Sequence, residues 1–504
     1  MADHLAVPSQ KASSSETYWG LVGRQFRRNR LAVVSMLFVL VLFLIAIAAP
    51  FLASNRPLVL KGFFRSVYQQ RFQEWRLAGH AEMLEFLRSG DASDAALRQR
   101  RLQTVEHQLQ FLASQLQPEP AAALLAYLED YRHAVRAATA GGGAGLAEAL
   151  RKLESNYAEI SQRFAPDAVT FQPKLYAPVL STLTALDIFF LTLAAGLLLL
   201  PAARRFLPPD WRSQWKEQAL GLLGLAVLLA GLWALRPSAL ETIDYKRQLR
   251  SGGIEASLAL FPPVPFGINE DHLEDKFQPP GSRYWMGTDG NGRDLLTRMI
   301  WGSRISLSVG FVAVGIYVLI GILAGTAAGY FRGWVDMALS RLIEVVICFP
   351  SFFLILAVLA FLQPSIVNIM IVIGITGWTT EARLVRGEFL RLADQEFVLA
   401  AKALGVSDWR IIFRHVLPNG IAPVLVAASF GVASAILIES SLSFLGFGIS
   451  IPVPSWGGIL SEARENFRYW WITIFPGLAI FSTVTAYNLV GEGVRDAIDP
   501  RLKV

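Results

Sequence analysis

Apolar runs alternate with polar stretches along the whole chain, and eight of the runs are predicted to be membrane spans. A helix needs about 17–25 apolar residues to cross the hydrocarbon core of a bilayer, and most of the runs have this length. The pattern therefore predicts an all-α protein that crosses the membrane several times. The predicted spans lie at residues 31–53, 177–200, 219–235, 305–327, 338–362, 365–380, 420–446 and 471–491.

Residues 54–176 are polar and have the period of amphipathic helices. Apolar residues recur there at alternating intervals of three and four positions, as on one face of a helix. We expect a small helical hairpin or four-helix subdomain in this insertion. The two clearest apolar seams are Leu102, Val105, Leu109, Leu112 and Leu116, and then Leu146, Leu150, Leu153, Tyr157, Ile160 and Phe164.

The runs at 177–200 and 219–235 predict an extra transmembrane hairpin within residues 177–236, because a basic loop separates them. Without this hairpin, six spans remain. Residues 237–303 are a polar segment, and residues 304–491 hold five spans with a polar loop at 381–419. A polar tail, 492–504, follows the last span.

Charge and composition place the chain in a membrane and give it an orientation. The chain is 53% hydrophobic and only 17% charged. Its net charge of +6 includes Arg24, Arg27, Arg28 and Arg30, which lie beside the first span rather than in a groove for nucleic acid. We expect both termini (1–30 and 492–504) in the cytoplasm, the insertion outside it, and no cleavage of the first span as a signal peptide.

No motif predicts catalysis, a metal site or a cofactor bound by this chain. No Gly-Lys pair occurs, so the lysine-containing phosphate-binding loop is absent. The six histidines are scattered, and the single cysteine, Cys348, lies in an apolar run. The chain is therefore not predicted to be an enzyme.

Residues 397–419 predict a helix, a glycine break and a second helix between two apolar spans. Gly405 can adopt the left-handed conformation that ends a helix, and Ser407 or Asp408 can cap the next one. We expect Leu417 and Pro418 to end the second helix just before the membrane. We call residues 397–419 the elbow, and a soluble partner could bind it.

The elbow resembles the cytoplasmic coupling loop of ATP-binding-cassette importer permeases. Leu399 and His415 depart from the general family pattern, but the run GVSDWRIIFRHVLPN is similar to the dipeptide and oligopeptide branch. A second motif resembles the segment before the second core helix of the C-type permeases of the dipeptide, oligopeptide and nickel family. It contains Gly287, Asp289, Gly292, Arg293 and Asp294, and we call residues 287–294 the outer motif.

The resemblance implies a six-helix type I importer core to which the hairpin and the extracytoplasmic insertion are added. It implies a second, B-type permease, two ATPase subunits that bind ATP and magnesium, and an extracytoplasmic solute-binding protein. Solutes transported in this family include dipeptides, oligopeptides, cell-wall peptides, peptide antibiotics and nickel chelates. The implied ATPase-coupling residues are Ala400, Ala401, Gly405, Asp408, Trp409, Arg410, Arg414 and Pro418.

Two acids within apolar runs are candidates for the translocation pathway or a gate. Glu439, with Ser440 and Ser441, is either such a residue or an internal hydrogen-bond anchor. Asp187 is either a functional intramembrane acid or an interfacial residue at the start of its helix. Two other functions remain open: a membrane scaffold or sensor that recruits a partner through the insertion, and a stand-alone ion-coupled carrier.

Overall fold

The computed structural model describes residues 18–88, 95–139, 144–203, 215–236, 243–448 and 453–498. The first part of the N-terminal tail, most of the predicted basic loop of the hairpin and the end of the C-terminal tail lie outside these ranges. The chain forms two compact units. The first contains the described parts of Met1–Ala53, Leu193–Leu207 and Phe266–Val504, and the second those of Ser54–Thr192 and Pro208–Pro265.

Helices make up most of the first unit. They are α1 (Tyr18–Arg28), α2 (Arg30–Ile47), α3 (Ala49–Leu52), the end of α9 (Ala185–Ala203), α12 (Leu295–Phe331), α13 (Gly333–Ile347), α14 (Ser351–Ala360), α15 (Ile366–Ala393), α16 (Glu396–Ala403), α17 (Asp408–Ile411), α18 (Leu417–Phe444), α19 (Trp456–Ala463) and α20 (Trp470–Ile498).

The second unit combines helices with a small sheet. Its elements are β1 (Val59–Phe63), α4 (Arg65–Glu74), α5 (His80–Arg88), α6 (Ala95–Gln115), α7 (Pro118–Thr139), α8 (Ala144–Arg163), β2 (Lys174–Tyr176), the start of α9, α10 (Trp215–Ala234), α11 (Tyr245–Arg250) and β3 (Glu255–Leu260).

Among the described residues, five helices are long and apolar enough to cross a membrane: α2, α10, α12, the continuous helix Asp408–Phe444, and α20. The pair α13 and α14 bends by 78° and counts as a sixth span if it is taken as one. Two predicted spans are not among these candidates. The apolar helix within 177–200 is too short, and residues 365–380 form the first part of the longer helix α15.

Glycines hold α12 and α15 together in the core of the first unit. Gly321, Gly325 and Gly329 recur every fourth residue and therefore lie on one face of α12. This face packs against α15. A Cβ added at Gly321 would lie 2.5 Å from the Cβ of Glu381, and one at Gly329 would lie 2.6 Å from the Cβ of Phe389. The two backbones therefore approach closely, as small residues permit between membrane helices.

The insertion has the predicted amphipathic helices, and its two strands join β3 from the segment 237–303 in a sheet that was not predicted. Leu109, Leu112 and Leu153 from the two seams are fully buried in one cluster with Tyr131 and Trp75. The sheet has the order β2–β1–β3 with both pairs antiparallel. Its strands are short and distant in sequence, so the period of two is hard to recognise in any of them.

One helix is longer than its predicted span, and one predicted helix end is wrong. Helix α15 continues to Ala393 and so includes the first part of the predicted 381–419 loop. Pro418 does not end the second elbow helix, because a π-helical turn at Ile412–Val416 leads directly into α18. A proline at the second residue of α18 is compatible with this continuation because the π turn already displaces the α-helical hydrogen bonds.

Candidate functional site

The first bend of the elbow is closed by backbone hydrogen bonds at Gly405. This residue has φ +72°, as predicted for a glycine that ends a helix. The N–H of Gly405 donates to Lys402 O (2.9 Å), and the N–H of Val406 donates to Ala401 O (3.1 Å). This is the Schellman pattern, in which two otherwise unpaired helix carbonyls accept bonds. The turn therefore fixes the direction in which the chain leaves α16.

One side of the elbow packs against the ends of the membrane helices. Val398, Ile411 and Val416 are fully buried in a cluster that includes Phe389 of α15. Ala401 belongs to the same cluster and is only 8% exposed. The elbow is therefore packed directly against α15 and α18.

Polar contacts add to this attachment. The Tyr330 hydroxyl at the end of α12 donates to Asp408 Oδ1 at 2.6 Å. The ammonium of Lys402 lies 4.8 Å from the centre of the Tyr330 ring. Asp408 is one of the predicted ATPase-coupling residues, and its exposed carboxylate accepts this hydrogen bond from the chain's own tyrosine. Ser407 is the residue before α17, and its side chain makes no capping bond.

The opposite side of the elbow exposes apolar and basic side chains. The rings of Trp409 and Phe413 stack with centroids 5.5 Å apart, although they are 67% and 47% exposed. Leu404 is 83% exposed. Arg410 and Arg414 are exposed on the same segment, as are Ala400 and Pro418. Exposed aromatic and arginine side chains in one patch are typical of protein-binding surfaces.

The outer motif is a buried, charge-paired turn. Asp289 is fully buried, and its Oδ2 accepts from Arg293 Nε (2.7 Å) and Arg298 Nη1 (2.6 Å). Arg298 also donates to both oxygens of Glu462 in α19, at 2.8 and 2.7 Å. The sequence analysis missed Arg298 and Glu462, since nothing in the sequence pairs residues so far apart. The network ties the turn to α19.

The other residues of the outer motif shape the turn and begin α12. Gly287 and Gly292 have φ +82° and +75°. A Cβ at Gly292 would lie 1.8 Å from His272 O, so no other residue fits there. Asp294 caps α12 by accepting from the N–H of Thr297 at 2.7 Å.

Glu439 lies in a serine-lined site between α18 and its neighbours. Its side chain is fully buried, and the Ser443 hydroxyl donates to Oε1 at 2.8 Å. The Ser306 and Ser440 hydroxyls lie 3.4 and 3.5 Å from Oε2. Ser441 is exposed on another face of the helix. These serine contacts are of the kind that the hydrogen-bond anchor alternative requires, and the pathway or gate alternative stays a prediction.

Asp187 lies in the first turn of α9. Its Oδ2 accepts from the backbone N–H and the hydroxyl of Thr184, at 2.7 and 2.9 Å. These contacts occur at the helix start, where a negative charge is favourable because of the helix dipole. Asp187 therefore lies at the start of its helix, and the functional and interfacial alternatives both stay predictions.

The sequence analysis did not single out Glu381, because the predicted span at 365–380 ended just before it. It is 4% exposed in the middle of α15, and its Oε2 has no hydrogen-bond partner among the described residues. An acid in such a place is a functional candidate by default. The signal that could have found it is the Gly321, Gly325 and Gly329 repeat, which predicts close packing of the helix that faces α12.

Comparisons with known proteins match both ends of the chain. Residues 17–72 match the family described as the N-terminal transmembrane domain of oligopeptide transport permease C. Residues 318–504 match the family described as the binding-protein-dependent transport system inner membrane component. The second match contains the elbow, Glu381 and Glu439, whereas most of the insertion lies outside both matches.

Three curated relatives are similar over most of their own length. The dipeptide transport system permease protein DppC of Alkalihalophilus pseudofirmus is 41% identical over 249 residues, which cover 49% of this chain and 82% of that protein. The glutathione transport system permease protein GsiD of Pectobacterium atrosepticum is 36% identical, covering 58% and 92%. The DppC of Bacillus subtilis is 36% identical, covering 53% and 88%.

Proposed function

The chain belongs to the family of inner-membrane components of binding-protein-dependent transport systems, and we propose that it couples ATP hydrolysis in partner subunits to solute movement through its elbow. It is a multi-pass permease subunit of a peptide-type importer, and its relatives are permeases rather than enzymes. In the proposed complex it forms the pathway with a second permease. Two ATPase subunits hold ATP and magnesium, and a solute-binding protein delivers a peptide or peptide-like solute.

The two-sided elbow is the observation that carries this proposal. Its buried side joins the ends of α12, α15 and α18, while Trp409, Phe413 and Leu404 are exposed on the other side. Contact between these apolar side chains and water is unfavourable, and a bound partner would cover them. The docking residues are then Trp409, Arg410, Phe413 and Arg414. Ala401 positions the elbow from its buried side, and Asp408 positions it through the hydrogen bond with Tyr330.

The proposed orientation places the elbow and both termini in the cytoplasm. Arg24, Arg27, Arg28 and Arg30 flank the first span, and excess positive charge favours the cytoplasmic side. The insertion then lies on the outer side, where the solute-binding protein docks. Accessibility of single cysteines introduced into a Cys348→Ala chain at the elbow and in α7 tests this orientation.

The coupling proposal is tested by Gly405→Val. Valine at φ +72° strains the backbone, although no atom lies within 4 Å of the added Cβ. We expect the variant to insert into the membrane but to lose peptide uptake and the link between uptake and ATP hydrolysis. Gly387→Val is the matched control, because Gly387 also has open space but lies within helix α15 without a positive φ.

Normal uptake by Gly405→Val would contradict the coupling role of the elbow. Co-purification from native membranes in mild detergent provides a separate test. A second permease and ATPase subunits are expected to accompany the chain. Recovery of the chain with envelope-assembly proteins instead would favour the scaffold alternative.

A further inference from the structure

A cleft of about 970 Å³ lies in the second unit, where the base of the insertion meets the end of α10. Its walls come from the sheet, from α6 and from the turn before α9. The volume is near the upper limit of the roughly 300–1,000 Å³ that is common for small-molecule sites. Neither family match covers these walls apart from residues near the start of α4.

The chemistry of the walls suits a long apolar group. Phe64, Phe111, Leu175 and Leu180 line the cleft together with aromatic residues of α10 and α11. Hydroxyl and amide groups lie among them. Arg236 is the single charged residue among the described residues that line the cleft, and no carboxylate is among them. A ligand with an ammonium group would therefore find no described partner, whereas an anionic group would find one.

The position of Arg236 indicates which surroundings the cleft faces. Helix α10 is apolar enough to cross a membrane, and Trp233 lies at its end. The Arg236 guanidinium lies 4.5 Å from the centre of the Trp233 ring, and Trp233 Nε1 donates to Leu183 O at 2.8 Å. Tryptophan and arginine at a span end are typical of the interface between hydrocarbon and headgroups. We therefore expect this end of α10, and the cleft beside it, to lie at the level of lipid headgroups.

An exposed apolar face of the sheet continues from the cleft. Leu175 of β2 lines the cleft and is 73% exposed. It pairs with Lys61 of β1, and on the other side Lys61 pairs with Leu258, which is 52% exposed. Paired residues in neighbouring strands point to the same face. Two exposed leucines around a lysine resemble the mixture of side chains that contacts acyl chains and phosphates at a membrane surface.

We propose that the cleft binds a phospholipid from the leaflet on the insertion's side, with one acyl chain between the sheet and α10 and an anionic headgroup at Arg236. The bound lipid would attach the base of the insertion to the membrane. This site is separate from the elbow and does not depend on which solute is transported. Its failure would therefore leave the coupling proposal untouched.

The test uses the full-length chain in phosphatidylcholine nanodiscs that contain phosphatidylglycerol with a photoreactive group at the end of one acyl chain. After illumination, mass spectrometry maps the labelled peptides. We expect label on residues 174–185 and around Phe111, and at least a fivefold loss of it in Ala234→Trp, whose side chain fills the cleft. Val227→Trp is the control, because Val227 is 58% exposed on the same helix and does not line the cleft.

The headgroup contact is tested separately, with a variant that leaves the cleft open. Arg236→Gln is expected to remove the preference for labelled phosphatidylglycerol over equally labelled phosphatidylcholine, whereas the exposed Arg250→Gln retains it. Label confined to the spans in the wild type, or cleft label that Ala234→Trp leaves unchanged, would overturn the proposal. Equal labelling of the wild type by both lipids would contradict the proposal that the bound headgroup is anionic.

Discussion

The outer motif and the elbow both turn at glycines with positive φ, but they differ in what surrounds the turn. A Cβ at Gly292 would collide with His272 O, whereas nothing lies within 4 Å of the corresponding position at Gly405. Asp289 is fully buried between two arginines, while Trp409 is 67% exposed. The outer motif satisfies its polar groups internally. The elbow leaves apolar surface exposed, which the proposed ATPase partner would cover.

The largest expected effect comes from breaking the charge network of the outer motif. In Asp289→Ala, Arg293 and Arg298 lose a buried partner, and removing one member of a buried pair costs about 3–5 kcal/mol. We expect a clear fall in the thermal unfolding temperature of the purified chain. The control is Asp271→Asn, because Asp271 is 54% exposed and lies 3.9 Å from Arg293 Nε. An unchanged unfolding temperature in Asp289→Ala would show that the network contributes little.

A smaller effect, limited to assembly, is expected at the elbow. Trp409→Ala removes an exposed aromatic side chain, and such residues often contribute about 2 kcal/mol or more to binding, or roughly thirtyfold in affinity. We expect weaker binding of the ATPase subunits with no change in unfolding temperature. Trp285→Ala, at a residue that is 60% exposed elsewhere, should preserve binding. Equal loss in both variants would contradict the contrast between the regions.

The insertion provides a third case for comparison, a titratable side chain that is buried in its uncharged form. His80 is 5% exposed, stacks on Tyr157 with ring centroids 3.7 Å apart and contacts the Tyr131 hydroxyl. Burial lowers the pKa of His80 to about 4, from about 6.5 in an unfolded chain. Between these values the unfolded chain binds a proton that the folded one does not. The free energy of unfolding should therefore fall as pH falls from 6.5 to 4.

Hydrogen exchange of residues 65–163 in the full chain, corrected for the intrinsic effect of pH, measures this loss. We expect His80→Gln to show a shallower pH dependence, whereas His107→Gln should match the wild type because His107 is exposed. The same slope in His80→Gln and wild type would mean that other groups control the acid sensitivity.

The sequence predicted local features of the candidate site better than its long-range partners. The left-handed Gly405 follows from a glycine between two helical patterns, and the structure confirms it. Glu462 could not be predicted as the partner of Arg298, because 164 positions separate them. The inward direction of Ala401 was also missed, since a small residue fits equally well at a buried contact and at a docking surface.

The sequence by itself determined where the chain is apolar, where helices turn and which family it belongs to, because these depend on periodicity, glycine and contiguous motifs. Only the tertiary structure decided which side chains are exposed and which ones contact distant parts of the chain. It joined Asp408 to Tyr330 by a hydrogen bond, exposed Trp409, and placed Glu381 against Gly321. It also brought three short strands together beside the cleft at the end of α10. Such contacts join residues that are far apart in the chain, and no local pattern contains that information.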